Sequence, residues 1–201
     1  SNVLMLNIEN PSMPALLKNL KQETADFFMK APDNNVLELA LCKKEILVEG
    51  DAEFMLIDAF YKNITRGVSM EADGVHVISV DGTSFKRYFE LALLLDIKVA
   101  AIRDNDGSYQ ANCVDSYEDY LSDSINVFAD TDEERHTFEV CLYRDNENAC
   151  VQLFAADRRS LSVQEYMLKN KTEAAFQLLK HRGAELITPE YIKEAIEWIR
   201  E

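Results

Sequence analysis

Short apolar runs alternate with amphipathic segments in the middle of the chain. Three runs, at residues 45–48, 75–80 and 98–102, have the length and apolar content of buried strands. The segments 52–61 and 84–95 between them have helical periodicity, and Asp51 and Ser84 are candidate N-caps. Strands and helices alternating at this spacing predict right-handed crossovers and a parallel sheet.

The flanking regions have weaker patterns. A helix is predicted over 13–30, followed by a break at 31–35 and an ambiguous segment, 36–41, that suits a short helix. The polar and acidic region 107–136 is expected to hold a loop, a short helix near 117–121 and a strand at 125–128. A short apolar segment at 137–142 carries Glu139. The rest of the chain is predicted to be irregular over 144–161 and helical over 162–181 and 189–200.

Length and composition bound the possible classes of protein. The chain has 201 residues, of which 47% are hydrophobic, which suits one domain or one domain with a helical appendage. The net charge of −15 argues against a free-standing, non-specific DNA-binding module, because such modules carry a basic face. It does not exclude a nuclease, because a metal site needs clustered acids and each divalent ion cancels two of their charges.

The cysteine spacing, the length of the apolar runs and the first residues of the chain indicate where the protein functions. Four cysteines without C-x-x-C spacing are typical of reduced thiols. No apolar run is long enough to span a bilayer and no signal peptide is visible, so we expect a cytoplasmic protein with no membrane partner. A start at Ser-Asn rather than Met leads us to expect a fragment of a longer chain.

Acidic residues follow each predicted strand. Glu49 ends the first strand, Asp81 the second, and Asp104 and Asp106 the third, while Glu53 lies one helical turn beyond Glu49. Ligands of open parallel sheets bind beyond the carboxyl ends of the strands, so these acids are expected to meet at one edge. Each Asp-Gly or Glu-Gly alone is an ordinary turn. The informative feature is the combination of a strand ending in Glu-Gly with a later strand ending in Asp-x-Asp, which suits Mg²⁺ or Mn²⁺.

This combination resembles the Toprim domain of topoisomerases, primases and related nucleases. Three segments narrow the resemblance to the OLD (overcoming lysogenization defect) family of ATP-dependent endonucleases: LVEGDAE at 47–53, VISVDGTSF at 77–85, and TPEYI at 188–192 leading into AIEWI at 195–199. The resemblance implies an α/β fold, Toprim-like (Rossmann-like), with a mainly parallel sheet flanked by helices and a C-terminal helical appendage. It divides the chain into an N-terminal helical lead-in (1–40), a Toprim catalytic core (41–136) and a mostly helical part that completes the site (137–201).

The same resemblance implies roles for individual residues. The metal ligands would be Glu49, Glu53, Asp104, Asp106 and Glu139, holding two Mg²⁺ or Mn²⁺ ions with Asp104 as the bridge. Glu49, Asp104 and Lys171 would be catalytic, with Lys171 neutralising charge on the phosphate. Three residues are alternatives for the two less secure positions: Lys169 for Lys171, and Glu118 or Asp115 for Glu139.

The implied function is metal-dependent cleavage of DNA, by nicking or double-strand cutting. The family couples this domain to an ABC-type ATPase, which would lie in a missing N-terminal part because the chain has no phosphate-binding loop of its own. A DNA helicase partner, a role in phage defence and a homodimer are compatible with the resemblance.

Three other functions are weighed against it. One is a non-cleaving Toprim module that binds metal or docks a partner. Another is primase or topoisomerase chemistry, although none of the eight tyrosines stands out as a nucleophile. The third is a response-regulator-like phosphoacceptor domain, which the lack of an acid pair after the first strand disfavours.

Overall fold

A computed structural model describes residues 4–5, 15–16, 19–30, 36–80, 84–156 and 160–201. Its strands are β1 (Leu4–Met5), β2 (Ala15–Leu16), β3 (Lys44–Val48), β4 (Val75–Ser79), β5 (Lys98–Ile102) and β6 (Ile125–Phe128). Its helices are α1 (Gln22–Lys30), α2 (Val36–Leu41), α3 (Asp51–Thr65), α4 (Phe85–Leu95), α5 (Phe138–Asp145), α6 (Glu147–Phe154), α7 (Val163–Lys169), α8 (Lys171–Arg182) and α9 (Glu190–Arg200).

The central sheet has the strand order β4-β3-β5-β6, and each neighbouring pair is parallel. Ile46 in β3 stands beside Val77 of β4 on one side and Ala100 of β5 on the other. The predicted parallel sheet is therefore confirmed. β1 and β2 form a separate two-residue antiparallel pair.

Two apolar layers cover the sheet because side chains alternate between its faces along each strand. Ile46 and Val48 point to a core formed with α3 and the C-terminal helices α5 to α9. Leu47 points to the opposite core, which includes side chains of α2 and α4, with aromatic residues of α1 packed against it. The predicted C-terminal helices are thus part of the same core as the strands that carry the acids.

Helix α3 connects β3 to β4 and buries one stripe of its surface. Ala52, Leu56 and Phe60 recur at four-residue spacing on that stripe and are all buried. The prediction that Asp51 caps this helix was wrong: the helix begins at Asp51, and the extended Gly50 occupies the N-cap without a side-chain hydrogen bond. Asp51 instead places a negative charge in the first turn, which the helix dipole favours. Ser84 does occupy the N-cap of α4, although its side chain makes no capping bond.

The predicted helix over 13–30 is correct for α1 but wrong at Ala15–Leu16, which belong to β2. Pro11 and Pro14 stand close by in the sequence, and proline fits poorly inside a helix. Residues 13–14 and 17–18 lie outside the described residues.

The C-terminal third has more regular structure than predicted. Residues 144–161 were expected to be irregular, but α6 occupies much of this stretch because Cys150 and Phe154, one turn apart, both reach the core. The single helix predicted over 162–181 is two helices, α7 and α8. They meet at Asn170, whose side-chain amide donates to the carbonyl of Tyr166 at 2.8 Å.

The region 107–136 contains a π-helix at Gln110–Asp115, a 3₁₀ turn at Glu118–Tyr120 and the predicted strand β6. Single π-turns are frequent at functional sites. The four cysteines are buried and unpaired. Among the helices of the described segments, none has the length and apolar character needed to cross a bilayer.

Candidate active site

The first acids of the two predicted motifs lie side by side at the carboxyl edge of the sheet. Glu49 follows β3 and Asp104 follows β5, and these strands are neighbours. The backbone N–H of Asp104 donates to Glu49 Oε1 at 3.2 Å. Residues 55 positions apart in the sequence therefore share one hydrogen bond because two parallel strands end together.

This edge is also the point where the chain leaves neighbouring strands in opposite directions. After β3 the chain enters α3, which packs on one face of the sheet, whereas after β5 it leads to Tyr117, which packs in the core of the other face. Such divergence opens a crevice beyond the strand ends, where ligands of open α/β sheets bind. Glu49 and Asp104 lie at its base.

Glu53 turns back from the first turn of α3 toward the end of β3. A Cβ atom at Gly50 would lie 3.5 Å from Glu53 Oε2, so the carboxylate lies directly over this glycine. Glu53 is buried.

Helix α5 brings the third acidic segment to the same place. The backbone N–H of Phe138, at the first position of α5, donates to Asp104 Oδ1 at 2.7 Å. Glu139 follows immediately and is buried. Its Oε2 atom lies 2.9 Å from Nζ of Lys171, at the start of α8. The lysine side chain is half exposed, so its ammonium group connects the buried acids to the solvent-facing side of the cleft.

The acids of this cluster repel one another in a poorly solvated place. Burial and the charges of Glu49 and Glu139 raise the pKa of Asp104 to about 8. Burial and the charges of Asp104, Glu139 and Glu49 likewise raise the pKa of Glu53 to about 8. Burial also raises the pKa of Glu49, with partial opposition from Arg103.

Lys171 responds in the opposite direction. Burial alone would lower its pKa, but Glu139, Asp104 and Glu53 hold it above the usual value. The ammonium group of Lys171 therefore stays protonated beside the acid cluster.

The second acid of Asp-x-Asp lies on the solvent side of this cluster, next to Arg103. Asp106 is exposed, adopts a left-handed backbone with φ of 50°, and accepts a hydrogen bond from Arg103 Nη2 at 3.3 Å. Asn105 holds the loop in place although it is not acidic: its side chain donates to the carbonyls of Asp130 and Asp132 and accepts from the N–H of Gly107. The Asn-Asp-Gly sequence at 105–107 is typical of turns, so this loop could have been predicted from the sequence.

The alternative residues lie elsewhere. Lys169, at the exposed end of α7, is close to Glu165, whereas Lys171 pairs with Glu139. Asp115 accepts a hydrogen bond from Gln110, and Glu118 is exposed in the 3₁₀ turn. Asp81 lies outside the described residues. Roles for Glu139 and Lys171 remain predictions, but these two are the ones placed beside Asp104.

No group of three or more His, Cys, Asp or Glu side chains is placed to hold a metal ion as it stands, within the segments that the structure describes. The donor chemistry nevertheless suits a hard divalent cation, because the cleft offers carboxylate oxygens. Burial and neighbouring carboxylates raise the pKa values of Asp104 and Glu53, and a cation bound between them would favour their ionised forms. Closure around an ion would require side-chain rotations.

Comparisons with known proteins concern one segment of the sequence and the fold. Residues 41–106 match the family described as "Overcoming lysogenization defect protein-like, TOPRIM domain". That span contains Glu49, Glu53, Asp104 and Asp106, whereas Glu139 and Lys171 lie beyond it. No curated protein matches the sequence.

Two solved structures share the fold. The C-terminal region of the Burkholderia pseudomallei OLD protein is 21% identical, with a TM-score of 0.55 over 80% of this chain and 98% of that one. The C-terminal region of the Xanthomonas campestris pv. campestris OLD protein, in its mercury-phased structure, is 20% identical, with a TM-score of 0.53 over 80% and 95%. At these identities the likeness concerns the fold alone.

Proposed function

We propose that this protein hydrolyses phosphodiester bonds in DNA with the help of divalent cations, a proposal supported by the match of residues 41–106 to the OLD-like Toprim family. The observation that carries the proposal is the convergence of Glu49, Glu53, Asp104 and Glu139 at the switch point between β3 and β5, next to Lys171. Glu49, Glu53 and Asp104 have raised pKa values, and such acids in a crevice are candidates for a functional site rather than for stabilising the fold.

Each residue has a distinct task in this proposal. Glu49, Glu53 and Asp104 would hold Mg²⁺ or Mn²⁺, with Glu139 and Asp106 contributing from opposite sides. When bound, such an ion lowers the pKa of a coordinated water and withdraws charge from the phosphate. The N–H of Phe138 orients Asp104 through its Oδ1 atom. Lys171 Nζ, held by Glu139, offers its charge to a phosphate oxygen as negative charge develops there.

A further domain or a partner protein would supply most of the affinity for DNA. The net charge of −15 gives the chain no long-range attraction for a polyanion. We therefore propose that the full protein includes an N-terminal ATPase part that delivers the DNA. The OLD likeness supports this proposal. We further propose a helicase partner, a homodimer and a role in phage defence.

The test is incubation with supercoiled plasmid in Mg²⁺, in Mn²⁺ and in excess EDTA. We expect nicked or linear DNA with either cation and intact plasmid in EDTA. Relaxed closed circles would indicate topoisomerase chemistry instead. Glu139→Gln and Glu118→Gln form a matched pair of substitutions, and only the former should abolish cleavage. Equal losses in both would contradict the assignment of Glu139.

A second candidate is a Toprim module that binds metal without cutting. The intact Glu49 and Asp104 favour cleavage. A melting temperature raised by Mn²⁺ in a protein that leaves plasmid intact would establish the second candidate.

A further inference from the structure

Arg103 is a buried cation inside the acid cleft. It precedes Asp104 in the sequence and is only 8% exposed. Its backbone N–H donates to the carbonyl of Phe128, which continues the β5–β6 pairing and fixes the residue at the sheet edge. Buried charges are rare unless they are paired, so the contacts of this guanidinium indicate what it does.

The guanidinium contacts Tyr117 and two acids, and it also interacts with the thiol of Cys113. Nη1 donates to the hydroxyl of Tyr117 at 2.7 Å and Nη2 to Asp106 Oδ2 at 3.3 Å. Nε lies 3.7 Å from Glu49 Oε1 and has no hydrogen-bond partner among the described residues. Arg103 therefore stands between the acid that ends β3 and the second acid of the Asp-x-Asp loop.

This placement divides the cleft into two halves of different charge. In the first half, Arg103 accompanies Glu49 and Asp106. In the second half, Lys171 accompanies Glu53, Asp104 and Glu139, so the formal charge is −2 and matches one divalent cation. The ion pairs follow this division, because Arg103 contacts Glu49 and Asp106 whereas Lys171 contacts Glu139. The two halves meet where the N–H of Asp104 donates to Glu49.

We propose that Arg103 is a resident cation of the first half, so that the cleft holds one divalent ion tightly, in the half formed by Glu53, Asp104 and Glu139. A second ion in the first half would have to displace the guanidinium from Asp106 and would then stand close to a buried positive charge. This inference rests on the proposed function. The family resemblance leads us to expect two ions, and the inference adds that one of them binds tightly and the other weakly.

The test is titration of the full chain with Mn²⁺ at neutral pH, with bound ions counted by calorimetry and free Mn²⁺ followed by electron paramagnetic resonance. The wild type should bind one ion per chain, with any second ion at least about tenfold weaker. In Arg103→Met, which keeps an unbranched apolar stem but removes the charge, the second ion should bind at least about tenfold more tightly than in the wild type. Two wild-type ions with affinities within about threefold, or no gain in Arg103→Met, would overturn the inference.

Lys86→Met is the matched control. Lys86 is exposed, and its Nζ lies over the ring of Tyr117, 5.7 Å from the centroid, so it is a nearby cation on the same aromatic residue. Its removal should leave both ion affinities unchanged. A gain in Lys86→Met as large as that in Arg103→Met would show a general charge effect and overturn the assignment.

Two features keep the test decisive if Arg103→Met fails to fold. The wild-type ion count is informative without any substitution. Tyr117→Phe keeps the positive charge but removes the anchor of Nη1, and should strengthen the second ion by a smaller factor. Failure of the proposed function would appear as intact plasmid with one ion bound, whereas failure of this inference would appear as two equal ions with cleavage retained. A wild type that binds no ion would overturn both.

Discussion

Asp104→Asn should make the ion-free protein more stable while removing its function. Asparagine keeps an acceptor for the N–H of Phe138 but carries no charge beside Glu49 and Glu139. The folded-state pKa of Asp104 is about 8, against an ordinary value of 3.8. Between those values the folded protein retains a proton that the unfolded chain releases, so wild-type stability falls as the pH rises. The cost of Asp104 should be on the order of 4 kcal/mol at pH 7.

The measurement is urea unfolding in EDTA at pH 4, 5, 6, 7 and 8. The stability advantage of Asp104→Asn should be near zero at pH 4 and grow by up to about 1.4 kcal/mol per pH unit toward pH 8. Saturating Mn²⁺ should narrow the advantage of Asp104→Asn at pH 7, because an ion at 100 times its dissociation constant adds about 2.7 kcal/mol to the wild type. Asp123→Asn, at an exposed loop position, should change stability by no more than about 0.5 kcal/mol at any pH. A variant less stable than wild type at pH 7, or an advantage independent of pH, would refute the reasoning.

Three further expectations concern ions, a second buried acid and DNA. Millimolar Mg²⁺ or Mn²⁺ should raise the melting temperature of the wild type, and Glu53→Gln should blunt that rise; equal shifts in both proteins would place the ions elsewhere. Glu45 is fully buried at the opposite end of β3, accepts a bond from the Cys42 thiol at 2.7 Å, and has its pKa raised to about 8 by burial. Glu45→Gln should therefore stabilise the protein at pH 8, with the gain disappearing near pH 4.5; a constant gain in urea unfolding would contradict this. In a fluorescence anisotropy titration at physiological salt without metal, a labelled duplex should bind more weakly than a dissociation constant of roughly 10⁻⁷ M, and tighter binding would reveal a basic groove.

The sheet and the first acids were predictable because they depend on short-range patterns. Buried parallel strands produce apolar runs, and the residue after each run lies at the carboxyl edge. That reasoning placed Glu49 next to Asp104 before the fold was known. The family resemblance added Glu139 and Lys171, and the 2.9 Å pairing of these two is a feature that periodicity alone does not predict.

Other features depend on tertiary contacts that the sequence does not display. Arg103 is a single basic residue within an apolar strand end, and its importance appears only when Tyr117, Glu49 and Asp106 surround it. Helix α3 begins one residue earlier than the pattern indicates, so Gly50 rather than Asp51 occupies the N-cap. Helix α6 was missed because its intrinsic pattern is short, and burial of Cys150 and Phe154 supplies what the pattern lacks.

The most direct test of the proposed function is the initial rate of plasmid cleavage in saturating Mn²⁺ by the wild type, Asp104→Asn and Asp123→Asn. The wild type and Asp123→Asn should convert supercoiled plasmid to nicked or linear DNA at equal rates. Asp104→Asn, folded and at least as stable in EDTA, should be slower by on the order of 100-fold or more. Cleavage by purified Asp104→Asn at the wild-type rate would show that the cleft between β3 and β5 is not where the chemistry takes place.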